Sequence, residues 1–81
     1  MKIEIYSTTS CPYCKMLKDY LGQKGVSFVE KLIDIDQLAL DQMKLESGGF
    51  QGVPFTVITL ADGKKEHVLG FDKGKLDTLL V

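Results

Sequence analysis

Cys11 and Cys14, separated by Pro12 and Tyr13, are the residues of this chain whose type and spacing point most directly to chemistry. Two cysteines three positions apart bring their sulfurs within bonding reach across one helical turn. They are also the only cysteines in the sequence. A disulfide between them closes a ring of about four residues, worth about 2 kcal/mol in the loop-entropy model, against about 3 for a 15-residue loop. Such a bridge is a weak staple and a good redox centre, so the spacing favours reversible thiol–disulfide exchange.

A thiolate performs that exchange, so the attacking sulfur needs a lowered pKa and access to solvent. Cys11 is expected at a helix N-terminus, where unpaired N–H groups and the helix dipole favour an anion. Pro12 agrees with that placement, since proline is tolerated in a first helical turn. The pKa of Cys11 is therefore expected below the ~8.5 of a free thiol. Lys15 and Lys18 follow within two turns and add positive potential. Cys14, one turn deeper, is expected to be less exposed and to act as the resolving thiol.

The same thiols suit a second chemistry, an iron–sulfur or zinc carrier. A closed zinc site takes four ligands, and the chain offers Cys11, Cys14 and a single histidine, His67. His67 reads as a solvent-facing residue of an edge strand, and no carboxylate has a convincing spacing. No metal site is expected within one chain, although an intermolecular cluster stays open.

The elements that must position the cysteines follow from the period of the apolar residues. Met1, Ile3 and Ile5 alternate with Lys2, Glu4 and Tyr6, as in a strand. Cys14, Leu17, Tyr20 and Leu21 recur at helical spacing, until Gly22 and Gly25 end the helix. A second strand is expected within 26–35. Asp34 or Asp36 caps a second helix carried by Leu38, Ala39, Met43 and Leu45. Residues 55–60 form a third strand, Asp62-Gly63 a hairpin turn, and 66–69 a fourth strand. Asp72 caps a last helix bearing Leu76, Leu79 and Leu80. The order β-α-β-α-β-β-α predicts an α/β fold with one parallel and one antiparallel connection.

Eighty-one residues suffice for one domain, 1–81. A net charge of −1 gives no electrostatic case for nucleic acid or an anionic membrane. No apolar run approaches the ~20 residues of a membrane span. The alternating, acid-containing start is unlike a secretory leader, so a cytoplasmic monomer is expected. In a reducing cytosol this cysteine pair points to catalysis or metal rather than to a structural bridge.

Cys-Pro-Tyr-Cys after a strand, Gly52-Val53-Pro54 before another, and Gly70-Phe71-Asp72 before the last helix together resemble the glutaredoxin family. The likeness is greatest to its small bacterial glutaredoxin-like and NrdH-like redoxins, and it covers essentially the whole chain. It implies a thioredoxin fold, a four-stranded mixed sheet flanked by three helices. It further implies that Pro54 is a cis-proline facing the dithiol and that the Val53 backbone pairs with the incoming substrate. Read without the family, Pro54 is a strand-start proline.

By the same resemblance, Gly70, Phe71 and Asp72 form the turn that binds the γ-glutamyl carboxylate of glutathione, and Tyr13 shields the sulfurs. From the residues alone, Asp72 is a plain helix cap. Pro12, Tyr13, Val53, Pro54, Gly70, Phe71 and Asp72 are thus the candidate substrate-binding residues.

Two departures bear on the electron donor. Thr8 stands where glutathione-using relatives commonly carry a basic residue, and the turn reads Leu69-Gly70-Phe71-Asp72-Lys73, with Phe71 expected to crowd it. The expected activity is thiol–disulfide exchange on protein or glutathione mixed disulfides, with no bound cofactor. Glutathione and thioredoxin reductase are the two candidate electron donors.

Overall fold

The computed structural model describes residues 1–49 and 52–80. Its elements run β1 (Lys2–Ser7), α1 (Pro12–Gln23), β2 (Val29–Leu32), α2 (Gln37–Ser47), β3 (Phe55–Thr59), β4 (Lys65–Leu69) and α3 (Lys73–Leu79). The sheet order is β2-β1-β3-β4, with β1 and β2 parallel and the other two pairings antiparallel. This is the mixed sheet with three helices expected of the thioredoxin fold.

Alternation along the strands divides the apolar side chains between two faces. Ile3, Ile5, Ile58 and Val68 meet Leu17, Tyr20 and Leu21 of α1 and Leu76 of α3 in one buried cluster. Tyr6, Phe55 and Val57 meet Met43 of α2 in the other. β3 is the most enclosed strand, buried from Phe55 to Ile58 because it has a neighbour on each side and a helical layer on each face.

Several boundaries differ from expectation, for local reasons. Helix α1 runs through Gly22 and stops only where Gly25 takes φ +70°. There the Val26 N–H donates to the Leu21 carbonyl, the six-to-one closure that a left-handed glycine permits. Strand β2 is only four residues long. Its last ladder bond runs from the Ile33 N–H to the Ser7 carbonyl. The N–H groups of Ile35 and Asp36 then both turn back to the Leu32 carbonyl.

Asp36, not Asp34, caps α2, its Oδ1 accepting from the Leu38 N–H at 3.1 Å. Only Ala39 and Met43 of that helix are buried. Leu38 and Leu45, expected to anchor it, are 73% and 85% exposed. The Asp62-Gly63 turn closes the hairpin as expected, with the Leu60 N–H bonded to the Lys64 carbonyl at 2.7 Å.

Leu17 is wholly buried and lies one turn beyond Cys14, so it ties the dithiol helix to the sheet. Leu17→Ala is expected to lower stability by about 2–5 kcal/mol, the range for a large-to-small change in a packed core. Urea unfolding of the two proteins measures it as a lower midpoint at unchanged slope.

Candidate functional site

β1 delivers the chain to the site. Its last residue, Ser7, is wholly buried, and its Oγ donates to Glu30 Oε2 on β2 at 2.7 Å. The same carboxylate oxygen holds Lys18 Nζ of α1 at 2.8 Å. Glu30 therefore joins β1, β2 and the dithiol helix. Burial alone would raise its pKa, but the hydrogen bonds from Lys18 and Ser7 and the charge of Lys18 outweigh that and hold it below the ordinary carboxylate range.

The loop that follows is fastened from outside. Asp34 Oδ2 accepts from the Thr9 backbone N–H at 3.0 Å and from its hydroxyl at 2.7 Å. Those two bonds, the hydroxyl first, hold the Asp34 carboxyl below its usual range. Asp34 thus serves the loop after β1 rather than α2.

Cys11 is the N-cap of α1, with Pro12 next, and its Sγ accepts from the Cys14 backbone N–H at 3.1 Å. The two cysteines are paired as a disulfide, with Cα atoms 5.2 Å apart. Their surroundings are unequal. Cys11 is half-buried, whereas Cys14 is only 1% exposed. Pro12 is exposed and Tyr13 is 61% exposed beside them. Cys11 borders an open trough of about 630 Å³ that Thr8, Lys15 and Lys18 also line. The charge of Lys18 is balanced by Glu30, so Lys15 is the lysine of this trough without an ion pair among the described residues.

The Val53–Pro54 peptide bond is cis, as the resemblance implied. Tyr6 pairs with Phe55 across the β1–β3 ladder, so Pro54 lies at the sheet end from which the cysteine loop departs. The Gly70 N–H donates to the Pro54 carbonyl at 2.8 Å, which brings the third motif to the same end. Gly70 has φ +71°, a conformation that L side chains rarely adopt, so the turn depends on glycine there. Asp72 Oδ1 accepts from the Lys75 N–H at 3.1 Å, capping α3 as the residues alone suggested.

Two expectations need correction. The Phe71 ring does not crowd the turn. It packs edge-on against Tyr20 at a centroid distance of 5.7 Å and joins the α1-side core, because burial holds an aromatic ring better than the exposed turn does. His67 is not a simple solvent-facing residue: its ring lies 5.4 Å from Phe55 and its Nε2 is 3.5 Å from Glu46 Oε2. Among the described residues, no three His, Cys, Asp or Glu side chains converge in a way that could hold a metal ion. The Ser7–Glu30–Lys18 and Thr9–Asp34 ties were not anticipated. Their partners lie 23 and 25 residues apart in sequence, beyond any local signal.

A helix-capping cysteine, a second cysteine one turn inside, and a cis-proline at the same end of a thioredoxin-type sheet define a class, the dithiol redox proteins. The glutaredoxin family model matches residues 3–62. A glutaredoxin-like 8.6 kDa protein encoded in the rubredoxin operon of Clostridium pasteurianum is 38% identical over 96% of each chain. Glutaredoxin 3 of Escherichia coli is 35% identical over 96% of this chain and 95% of its own. Among solved structures, a thioredoxin-like protein superposes with TM-score 0.80 at 31% identity, over 99% of this chain and all of its own. NrdH-redoxin of Escherichia coli shares the fold, with TM-score 0.76 at 24% identity over 98% and 95% of the two chains. The chain belongs to the glutaredoxin family, and it is a thiol–disulfide oxidoreductase.

The lowered pKa of Glu30 carries a stability consequence. An unfolded glutamate titrates near pH ~4.3, so the contribution of Glu30 is fully present above that value. It is lost as pH falls through the depressed folded value, below which both states are protonated. Glu30→Gln is expected to cost about 1 kcal/mol near neutral pH, allowing for partial exposure. Urea unfolding of both proteins from pH 7 to pH 3 is expected to show that difference shrinking once pH drops below ~4.3.

Proposed function

We propose that the protein is a cytoplasmic reductase of protein disulfides that works through Cys11 and Cys14, with Cys11 as nucleophile. The observation that carries this reading is the inequality of the two sulfurs. Cys11 caps α1 and already accepts an N–H bond at its sulfur, whereas Cys14 is almost fully enclosed. An N–H aimed at sulfur at a helix N-terminus stabilises a thiolate more than a thiol.

In the first step the Cys11 thiolate attacks one sulfur of the substrate disulfide. That S–S bond breaks as a Cys11–substrate S–S bond forms, and the departing sulfur takes a proton from water. The Cys14 thiolate then attacks the Cys11 sulfur. The Cys11–Cys14 bond forms, and the second substrate sulfur leaves to be protonated in turn. Two electrons pass from the dithiol to the substrate, and a two-electron donor restores the dithiol. The Val53 backbone beside the cis-proline offers N–H and C=O groups that receive substrate main chain without reading its sequence. Gly70, through its bond to Pro54, supports that edge.

Glutathione is the weaker donor in this reading, and a thioredoxin-reductase-type enzyme is at least its equal. The tripeptide carries two carboxylates, Thr8 supplies no charge beside Cys11, and the Lys18 ammonium is engaged by Glu30, which leaves Lys15 as the one lysine of the trough without an ion pair among the described residues. The loss of one charge-assisted hydrogen bond costs about 1.5–3 kcal/mol, roughly ten- to a hundredfold in affinity.

Cys14→Ser is expected to trap covalent complexes with disulfide-containing proteins, and Cys11→Ser is not. Equal trapping by both, read on a non-reducing gel, would contradict the assignment of roles. The donor is tested by supplying either glutathione with its reductase or thioredoxin reductase. Thr8→Lys is expected to raise turnover with glutathione and leave attack on a small disulfide unchanged. Efficient glutathione-driven turnover of the unaltered protein, with no response to thioredoxin reductase, would overturn the preference.

A further inference from the structure

We infer that Leu69 is a specificity-determining residue that seats a bulky apolar side chain of the protein substrate. This rests on the protein-disulfide reading above and adds the chemistry of the segment beside the attacked cysteine. Leu69 is a large aliphatic residue 56% exposed at the end of β4. It opens into a cleft of about 520 Å³ between the end of α2, the outer half of the sheet and the start of α3.

The register explains why its side chain is available. The Leu60–Lys64 and Pro54–Gly70 bonds mark hydrogen-bonded pairs of the β3–β4 ladder. Phe55 and Leu69, which face each other, are therefore a non-hydrogen-bonded pair, the kind whose side chains lie closer together. Phe55 is buried beneath α2, so Leu69 extends the same apolar floor outward to solvent.

Most of the charged groups around that floor pair with one another, whereas the buried Nε2 of His67 makes no hydrogen bond. Glu46 receives Lys65 Nζ at 2.7 Å through Oε1 and faces His67 Nε2 through Oε2. Asp72 accepts the Lys75 N–H, and Lys75 Nζ donates to the His67 carbonyl at 2.7 Å. The apolar surface open to a visitor there is that of Leu69. A Phe, Leu or Met side chain gains by covering Leu69, whereas a small polar peptide gains little.

Leu69 connects the cleft to the cis-proline end of the sheet through the chain. Leu69 immediately precedes Gly70, whose N–H is bonded to the cis-proline carbonyl, so a chain lying along Val53–Pro54 passes its rim. The occupant is a protein segment with a bulky apolar residue near its disulfide cysteine.

Two synthetic peptide disulfides, alike except for Phe or Ser at the positions one and two removed from the cysteine, test this beside 2-hydroxyethyl disulfide. The unaltered protein is expected to prefer the Phe peptide by roughly tenfold in kcat/KM, the equivalent of about 1.4 kcal/mol. Leu69→Ser is expected to remove that preference through KM, to leave the Ser peptide and the small disulfide within about twofold, and Leu69→Met to retain it. Absence of a preference, its persistence in Leu69→Ser, or an equal loss on all three disulfides would overturn the inference. Reduction of the small disulfide by the unaltered protein without reduction of either peptide would bring down the protein-substrate reading itself.

Discussion

The site depends on one constraint, the antiparallel pairing of β3 with both of its neighbours. β1 ends where β3 begins, and β4 ends there too, so three chain segments far apart in sequence are delivered to one end of the sheet. Nothing in the cysteine motif could bring Pro54 or Gly70 to it. That work falls to the burial of Phe55, Thr56, Val57 and Ile58 between two helical layers, at about 25 cal/mol for each Å² of apolar surface removed from water. Register follows from the same burial, because a slip of one residue would turn Phe55 and Val57 to the opposite face.

Apolar burial positions strands, but it cannot hold the polar loop between Ser7 and Cys11. Hydrogen bonds to two carboxylates do that. Glu30 grips the loop's origin and the second turn of the dithiol helix, while Asp34 grips its middle. Both carboxylates come from β2 or the turn just after it. The shortest strand thus contributes little to the core and much to fixing the loop that presents Cys11. The aromatic pair of Phe71 and Tyr20 does comparable work below the third motif. Tyr20 also donates its hydroxyl to Asp77 of α3, joining the first and last helices.

The elements legible in the sequence were those with a local cause. The helix cap at Asp72, the Asp62-Gly63 hairpin and the strand expected at 55–60 follow from residue type and spacing, and the structure has all three, with the strand ending at Thr59. The mixed pairing followed from the order of elements, but the cis-proline was reached only through family likeness, since without it Pro54 reads as a strand start. What was not legible depends on tertiary context. Leu38 and Leu45 have the right spacing for a buried face, yet α2 crosses the sheet so that only Ala39 and Met43 reach it. Asp34 and Asp36 are equivalent as candidate caps until Thr9 claims the first. Phe71 could be placed on the core only once Tyr20 was known to lie beneath it.

The Lys75 bond to the His67 carbonyl has a consequence for the molecule in a crowded solution. In the β3–β4 ladder His67 falls between hydrogen-bonded pairs, so its carbonyl points away from β3, out of the sheet's open side. An unpaired strand of this kind is a template on which another chain can add itself, the first step toward aggregation. The ammonium of Lys75 occupies the middle acceptor of that template and places a full positive charge where an incoming backbone would have to lie. The sheet of this redox protein is thereby guarded along its flank while the end that carries Cys11 stays open.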